Sequence, residues 1–150
     1  MAMTMTGEFV LPADKATVWA HLNDAETLKA SIPGCESLDK LSDTEMQAVA
    51  KIRIGPVSAR FKGKVNLSDL DPPNSYRISG QGDGGIAGFA KGGANVRLSD
   101  ADGGGTKLSY DVDAQIGGKI AQLGGRLIDS TAKKLADEFF ANFARALGGT

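Results

Sequence analysis

The stretch GGKIAQLGGRLIDSTAKKLADEFFANF, residues 117–143, decides how this chain folds. Apolar side chains recur in it every three or four residues, which predicts one long amphipathic helix near the end of the chain. They are Ile120, Leu123, Leu127, Thr131 (through its methyl group), Leu135, Phe139 and Phe143. Two glycine pairs, 117–118 and 124–125, stand at the front, although each interior glycine costs a helix about 1 kcal/mol relative to alanine. We therefore expect the start of this helix to move, or to lie very close to another element.

Upstream of this helix, from Glu36 to Ile116, apolar and polar residues alternate with a period of two, which indicates β-strands. Tight turns such as Gly55-Pro56 separate them. A short strand near residues 7–11 precedes two short helices, the first capped by Asp14 and the second by Asn23 or Asp24. The pattern predicts an α+β fold in which the closing helix covers one face of an antiparallel sheet of about seven strands.

Composition excludes several classes of protein. The formal net charge of −1 and a pI near 5.8 argue against a nucleic-acid-binding protein, which normally carries a basic stripe. The single cysteine, Cys35, excludes an internal disulfide and a cysteine-rich metal site, and fits a reducing compartment. The first residues lack the features of a secretory signal, and no apolar run approaches the roughly twenty residues of a membrane span. We expect residues 1–150 to form one cytoplasmic domain.

The inward face of the predicted sheet carries small residues where a solid core would carry large aliphatic ones. They include Ala48, Ala50, Ala59, Gly63, Gly80, Gly88, Ala90, Gly92, Ala94 and Ala114. Thirteen of the twenty glycines lie from Gly82 to Gly125, which concentrates the effect in the later strands and the helix start. Either a cavity for an apolar ligand lies between sheet and helix, or the glycines serve bulges and strong sheet curvature. Both explanations stay open, and we favour the cavity.

Several polar features look functional but lack the surroundings that the chemistry requires. Residues 80–85 match G-x-G-x-x-G, yet a strand pattern follows them and no helix N-terminus is available to hold a pyrophosphate. His21 and Cys35 each lack the neighbours of a triad or metal site, which favours structural roles. Asp111 and Asp113 share the polar face of the last strand, opposite the expected cavity. We therefore predict no catalytic residues and no metal ligands.

Four segments of the chain resemble one family. They are residues 32–36 (IPGCE), 51–57 (KIRIGPV), 84–90 (GGIAGFA) and the helix from Gln115 to Phe140. With the order of the predicted elements, they resemble the CoxG family (the G subunit of carbon monoxide dehydrogenase) of the START-like (SRPBCC) helix-grip superfamily, and the similarity covers nearly the whole chain. The resemblance implies a helix-grip fold, in which a curved sheet of about seven strands wraps around a long C-terminal helix.

The resemblance also implies a function. It suggests a non-enzymatic accessory protein of a molybdenum hydroxylase such as aerobic carbon monoxide dehydrogenase, helping to recruit that enzyme to the membrane and its electron acceptors. Helix-grip relatives commonly hold lipids, sterols or polyketides between helix and sheet. We expect no covalent cofactor, an apolar cavity for a quinone or another isoprenoid lipid, and transient contact with the cytoplasmic face of the inner membrane.

The residues expected at such a site form two sets, one lining the cavity and one at its gate or mouth. The expected cavity residues are Ala59, Phe61, Val65, Ile78, Ala90, Ala94, Tyr110, Val112, Ile120, Leu123, Leu127, Thr131 and Leu135. The expected gate or mouth residues are Ile86, Phe89, Gly117, Gly118, Gly124 and Gly125. Phe89 at the mouth would meet the membrane or a partner, although a lone exposed aromatic residue is common on protein surfaces. The alternative functions are a surface-only interaction module with a filled interior and, less favoured, an enzyme of the cyclase or hydrolase type.

Overall fold

The computed structural model describes residues 1–148 and contains seven β-strands and three α-helices within them. The strands are β1 Ala2–Leu11, β2 Cys35–Lys40, β3 Glu45–Ile54, β4 Val57–Asp71, β5 Ser75–Asp83, β6 Phe89–Asp100 and β7 Thr106–Gly117. The helices are α1 Lys15–Leu22, α2 Ala25–Ser31 and α3 Gly125–Ala146. The order of elements and the two short helices after the first strand confirm the predicted α+β class.

The strands form one open, curved antiparallel sheet in the order β1-β7-β6-β5-β4-β3-β2. β1 and β2 therefore occupy the two edges. α3 lies on the inner face, where it packs mainly against α2, β1 and β3. This arrangement is the helix-grip fold that the sequence predicts.

Carboxylates begin both short helices, at Asp14 and at the second of the two predicted caps, Asp24. Asp14 accepts a hydrogen bond from the backbone N–H of Thr17 at 2.8 Å, and Asp24 from that of Thr27 at 3.1 Å. Each carboxylate thus satisfies an N–H that has no partner inside its helix. Hydrogen bonds from these threonines also lower the pKa of both aspartates. α2 ends at Ser31, shortly before Pro33-Gly34.

The first strand is longer than the sequence analysis predicts, because it begins at Ala2 instead of near Gly7. Met3 is buried and Met5 half-buried, whereas the threonines between and after them are exposed. The strand pairs with β7 along its whole length. Methionine and threonine are weak indicators of a buried strand face, so this alternation alone does not predict the early start.

The prediction that the long helix begins on the two glycine pairs is wrong. β7 continues to Gly117, a 3-10 turn covers Lys119–Leu123, and α3 begins only at Gly125. Gly118 and Gly124 have φ values of +81° and +95°. Residues with a side chain rarely adopt this region, and it interrupts a right-handed helix. The glycines therefore separate β7, the 3-10 turn and α3 from one another, instead of weakening the interior of a single helix.

The buried apolar side chains form two clusters, which lie towards opposite ends of β7 and α3. The main core includes Leu11, Val18, Leu22, Leu28, Met46, Leu67, Tyr76, Val96, Leu98, Leu108, Tyr110 and Phe143. The front core consists of Met3, Ala87, Ile116, Ile120 and Ile128. The candidate site lies at the front core, which supplies Met3, Ile116, Ile120 and Ile128 to its lining. None of the helices in residues 1–148 combines the length and apolar character needed to cross a membrane.

Candidate functional site

An apolar cleft of about 270 Å³ lies between the first half of α3 and the inner face of the sheet. Its lining residues are Met3, Ile52, Ile54, Phe61, Gly82, Ala90, Ile116, Ile120, Ile128, Thr131, Ala132 and Leu135. Six of the seven strands contribute to it, and Thr131 is the single member of this lining with a polar side chain. Concave, mostly apolar surfaces with few polar groups are typical of sites for small apolar ligands.

The cleft exists because α3 contacts the margins of the sheet more than its centre. Its contacts with the central strands β4 to β7 are sparse. A second groove of about 330 Å³ follows the inner face of these strands, and its apolar side chains include Val65, Ile78 and Val112. Gly82 and Ala90 line both spaces, so cleft and groove adjoin. A long apolar molecule therefore has two connected spaces available.

The glycines on the floor of the groove are of two kinds. Gly63 lies opposite Gly82 in the sheet, and Gly80 lies opposite Gly92. A Cβ atom on Gly80 would lie 2.6 Å from a neighbouring backbone oxygen, and one on Gly92 would overlap another. At Gly63 and Gly82 the nearest atoms would be 3.7 and 4.0 Å away, which are ordinary contacts. Gly80 and Gly92 thus permit close packing of the strands, as the curvature explanation requires. Gly63 and Gly82 instead leave space that a ligand could use.

Aromatic rings hold the second half of α3 against the sheet. Phe140 of the helix stacks on Phe9 and Tyr110 of the sheet, with ring centroids 4.3 and 5.7 Å apart, while Phe139 and Phe143 stack on each other within the helix at 5.7 Å. Such pairs contribute about 0.5–1.5 kcal/mol each beyond the burial of their surface. The first half of α3 contacts the sheet through smaller aliphatic side chains around the cleft. The two halves of the helix are therefore anchored unequally.

The turn between β5 and β6 lies beside the connection from β7 to α3. Ile86 in this turn is 93% exposed and Phe89 is 48% exposed. The ring of Phe89 packs across Gly117, and Gly118 lies against the backbone of Gly88. A side chain on either member of the first glycine pair would clash, so this pair serves a close approach.

The second glycine pair has different surroundings. Gly124 and Gly125 are exposed, and no atom lies within 4 Å of where their Cβ atoms would be. Their role as a gate stays a prediction, and the open space around them is compatible with movement.

Nine of the thirteen predicted cavity residues line the two spaces. Phe61, Ala90, Ile120, Thr131 and Leu135 line the cleft, and Val65, Ile78, Ala94 and Val112 line the groove with Ala90. The other four lie elsewhere. Ala59 and Leu123 pack beside the front core, Leu127 covers Gly55 at the β3–β4 turn, and Tyr110 belongs to the aromatic stack.

Seven residues of the cleft lining were not among those predicted from the sequence. The missed residues are Met3, Ile52, Ile54, Gly82, Ile116, Ile128 and Ala132. Ile52 and Ile54 belong to the inward alternation of β3, which was a usable signal. Ile128 and Ala132 are four residues apart on α3 and follow Leu127 and Thr131 directly. A wider apolar stripe on the helix would have included them.

The isolated polar residues have structural partners. Nδ1 of His21 lies 3.0 Å from the hydroxyl of Thr27, which itself donates to Asp24 at 2.6 Å, so the ring donates to Thr27. Burial raises the pKa of the Cys35 thiol. A raised pKa disfavours the thiolate that a nucleophile needs. None of these residues lines the cleft.

The two aspartates of β7 lie on the outer face of the sheet. Asp111 accepts hydrogen bonds from Arg97 at 2.9 Å and Asn95 at 2.8 Å, which hold the pKa of its carboxyl below the ordinary value. Asp113 pairs with Arg77 at 3.2 Å. Within residues 1–148, no group of three or more His, Cys, Asp or Glu side chains is placed to hold a metal ion.

Comparisons with known proteins agree with this architecture. Residues 7–148 match the family model of CoxG, the G subunit of carbon monoxide dehydrogenase. The crystal structure of a conserved protein from Geobacillus kaustophilus is 28% identical, has a TM-score of 0.91, and covers 97% of this chain and 95% of that one.

More distant structures share the fold alone. A START superfamily protein from Mycobacterium smegmatis is 13% identical, has a TM-score of 0.73, and covers 97% of both chains. The Zhui aromatase/cyclase from Streptomyces sp. R1128 is 10% identical, has a TM-score of 0.70, and covers 99% of this chain and 94% of that one. A search of curated proteins finds no match. On the match over residues 7–148, the chain belongs to the CoxG family, named for the G subunit of carbon monoxide dehydrogenase.

Proposed function

We propose that this protein is a non-enzymatic accessory protein of a molybdenum hydroxylase of the carbon monoxide dehydrogenase type, and that it carries an apolar, lipid-like ligand. The observation that carries the proposal is the apolar cleft between α3 and the sheet, with its adjoining groove. Membership of the CoxG family supports the choice of partner. A membrane quinone is the candidate ligand, because it is an isoprenoid molecule that exchanges electrons with membrane-bound acceptors.

The size and lining of the two spaces support an isoprenoid occupant. Burying a prenyl unit of about 100 Å² at roughly 25 cal/mol/Å² contributes about 2.5 kcal/mol. Two or three units therefore approach the free energy of micromolar binding, before the cost of association is subtracted.

Ile86 and Phe89 are the residues through which the protein would contact the membrane. Both are exposed and apolar, and they lie beside the connection that leads into α3. Two side chains of this kind give shallow and reversible attachment. Such contact would let a ligand pass between bilayer and cleft while the protein itself exchanges between membrane and enzyme.

Native purification followed by solvent extraction and mass spectrometry tests the ligand. We expect a co-purifying isoprenoid lipid, and micromolar binding of a naphthoquinone with two isoprene units to the delipidated protein. Ala132→Phe places a ring in the cleft and should weaken this binding about tenfold or more, whereas Ala141→Phe, on the exposed side of the same helix, should leave it unchanged.

Two results would contradict the proposal that the protein carries an apolar ligand. One is the absence of any lipid in the extract together with no thermal shift on adding the quinone. The other is equal binding by the Ala132→Phe and Ala141→Phe variants. Hydroxylase binding without a ligand would instead favour the surface-only interaction module.

A further inference from the structure

The outer face of the sheet, opposite the cleft, has a segregated charge distribution. Cross-strand register places one set of cations on the outer side of β3, β4 and β6, and we call this set the cationic face. It comprises Lys51, Arg53, Arg60, Lys62, Lys64 and Lys91. The whole chain has a formal net charge of −1, so the cationic face is a local concentration and not a general property.

The acids near the cationic face are mostly engaged. Glu36 pairs with Arg60 at 2.8 Å, and Glu45 lies 4.0 Å from Lys64. Asp83 accepts a hydrogen bond from the backbone of its own turn at 2.8 Å. Among residues 1–148, no carboxylate lies within 4.0 Å of the amines of Lys51, Lys62 or Lys91, or of the Arg53 guanidinium.

The other half of the same outer face is balanced. Arg97 pairs with Asp111 at 2.9 Å, and the Lys107 amine lies 3.4 Å from Glu8. On the cationic face, by contrast, Lys51 stands directly opposite Arg60 across the β3–β4 ladder. Like charges at directly opposite positions destabilise a sheet. Glu36 offsets the charge of Arg60 in this pair, so within residues 1–148 the cations of the face without an ion-pair partner are Lys51, Arg53, Lys62 and Lys91. These unpaired cations fit a partner that supplies the missing negative charge.

The interior of the cationic face favours a protein over a bilayer as that partner. Most of its neighbours across the strands are polar, such as Ser58 and Gln81. The apolar exceptions are the half-buried Val49 opposite Lys62 and the exposed Phe89, which lies two residues before Lys91 at the edge of the face. Binding to a bilayer surface depends on apolar side chains that enter it. A depression of about 510 Å³ has three cations, Lys64, Arg77 and Lys91, and one carboxylate, Glu45, in its wall, and offers room for carboxylate side chains beside the cations.

We propose that the cationic face is the surface through which this protein binds an acidic surface of its partner protein. The identity of that partner, a molybdenum hydroxylase, rests on the proposed function. Lys62 and Lys91 are the diagnostic residues, because neither forms an ion pair within residues 1–148. Lys62 stands directly opposite Asp83 across the β4–β5 ladder, so its charge reversal also adds a like-charge pair there, and the folding control must exclude that effect.

Binding of the full chain to the purified molybdenum hydroxylase of the same organism tests this surface. Lys62→Glu/Lys91→Glu should weaken binding about tenfold or more, and should reduce its dependence on salt. Arg126→Glu/Lys133→Glu makes the same change in net charge on α3, on the other side of the sheet, and should bind as the unsubstituted protein does. Circular dichroism confirms that both variants fold.

Each other outcome overturns the proposal in a different way. Equal binding by the Lys62/Lys91 variant and the unsubstituted chain would refute the cationic face as the docking surface, but would leave the proposed partnership with the hydroxylase intact. No binding by the unsubstituted chain would refute both the docking surface and the partnership. Vesicles of phosphatidylcholine and phosphatidylglycerol form the second arm. Binding to these vesicles that depends on Lys62 and Lys91, without binding to the hydroxylase, would identify a membrane-binding face instead.

Discussion

Substitution of the floor glycines separates the two explanations for the many glycines of the sheet. Gly63→Ala and Gly82→Ala each place a methyl group where the nearest atoms lie 3.7 and 4.0 Å away. Gly80→Ala and Gly92→Ala place the same group against backbone oxygen atoms. All four residues lie on the inner side of central strands, and none is among those with φ in the left-handed region. The four variants therefore differ mainly in available space.

The structure gives opposite signs for the two pairs. Replacing glycine by alanine within a strand stabilises a protein by roughly 0.5–1 kcal/mol where the backbone and the space allow it. For a domain of this size, about 1 kcal/mol corresponds to a melting temperature about 2–4 °C higher, which we expect for Gly82→Ala. Overpacking against neighbouring atoms costs about 1–3 kcal/mol, so Gly92→Ala should lower the melting temperature by about 2–12 °C.

Thermal unfolding followed by circular dichroism measures these effects, and quinone titration of the same variants gives a second readout. Because Gly82 lines both spaces, its methyl group should weaken ligand binding while it stabilises the protein. Destabilisation of similar size in all four variants would mean that the glycines serve curvature alone. An unchanged melting temperature for Gly92→Ala would refute the close approach between strands.

Three further results should follow from the helices and their caps. Gly124→Ala should destabilise the protein by about 1–3 kcal/mol, because the φ of +95° at this position suits glycine. Gly125→Ala should not destabilise it. Equal effects of the two substitutions in urea titrations would contradict the break in the backbone before α3. Phe143→Ala should lower the free energy of unfolding by about 3–5 kcal/mol, and a loss below about 1 kcal/mol would refute the firm anchoring of that end. The pKa values of Asp14 and Asp24 are lowered in the folded state, so their contribution to stability is present above their unfolded pKa of about 3.9 and is lost as the pH falls through the folded values. Replacing both by Asn should flatten this fall in stability below about pH 4; an unchanged pH profile would assign it to other carboxylates.

Much of the fold was predictable because local signals and tertiary packing agree. The alternation from Met46 to Ile54 survives in β3, and the carboxylates of Asp14 and Asp24 cap the helices that they were expected to cap. In β3, apolar residues alternate because every second side chain faces the interior. At Asp14 and Asp24, a carboxylate is present because it accepts a hydrogen bond at the start of a helix. The strand pattern also placed the two aspartates of β7 on the outer face, where the structure has them.

The start of α3 was not predictable from spacing. Apolar residues before and after Gly124 continue the same interval of three or four, although the backbone there leaves the helix. The break changes the angle about the helix axis at which the following side chains point. Ile128 therefore takes the buried position, and Leu127 turns towards Gly55. The sign of φ cannot be read from a glycine in the sequence, since glycine adopts both signs with little preference.

β3 links the two proposals, because its alternate residues serve opposite sides of the sheet. Ile52 and Ile54 line the cleft, while Lys51 and Arg53 belong to the cationic face. A partner bound to the outer face would thus lie one sheet thickness away from a ligand in the cleft. Close packing transmits displacement of such a strand to both of its faces. If docking shifts β3 and β4 relative to α3, the cleft changes shape at the half of the helix that the aromatic rings do not hold. Partner binding and ligand release would then be coupled through one strand, with the aromatic end of α3 as the fixed point.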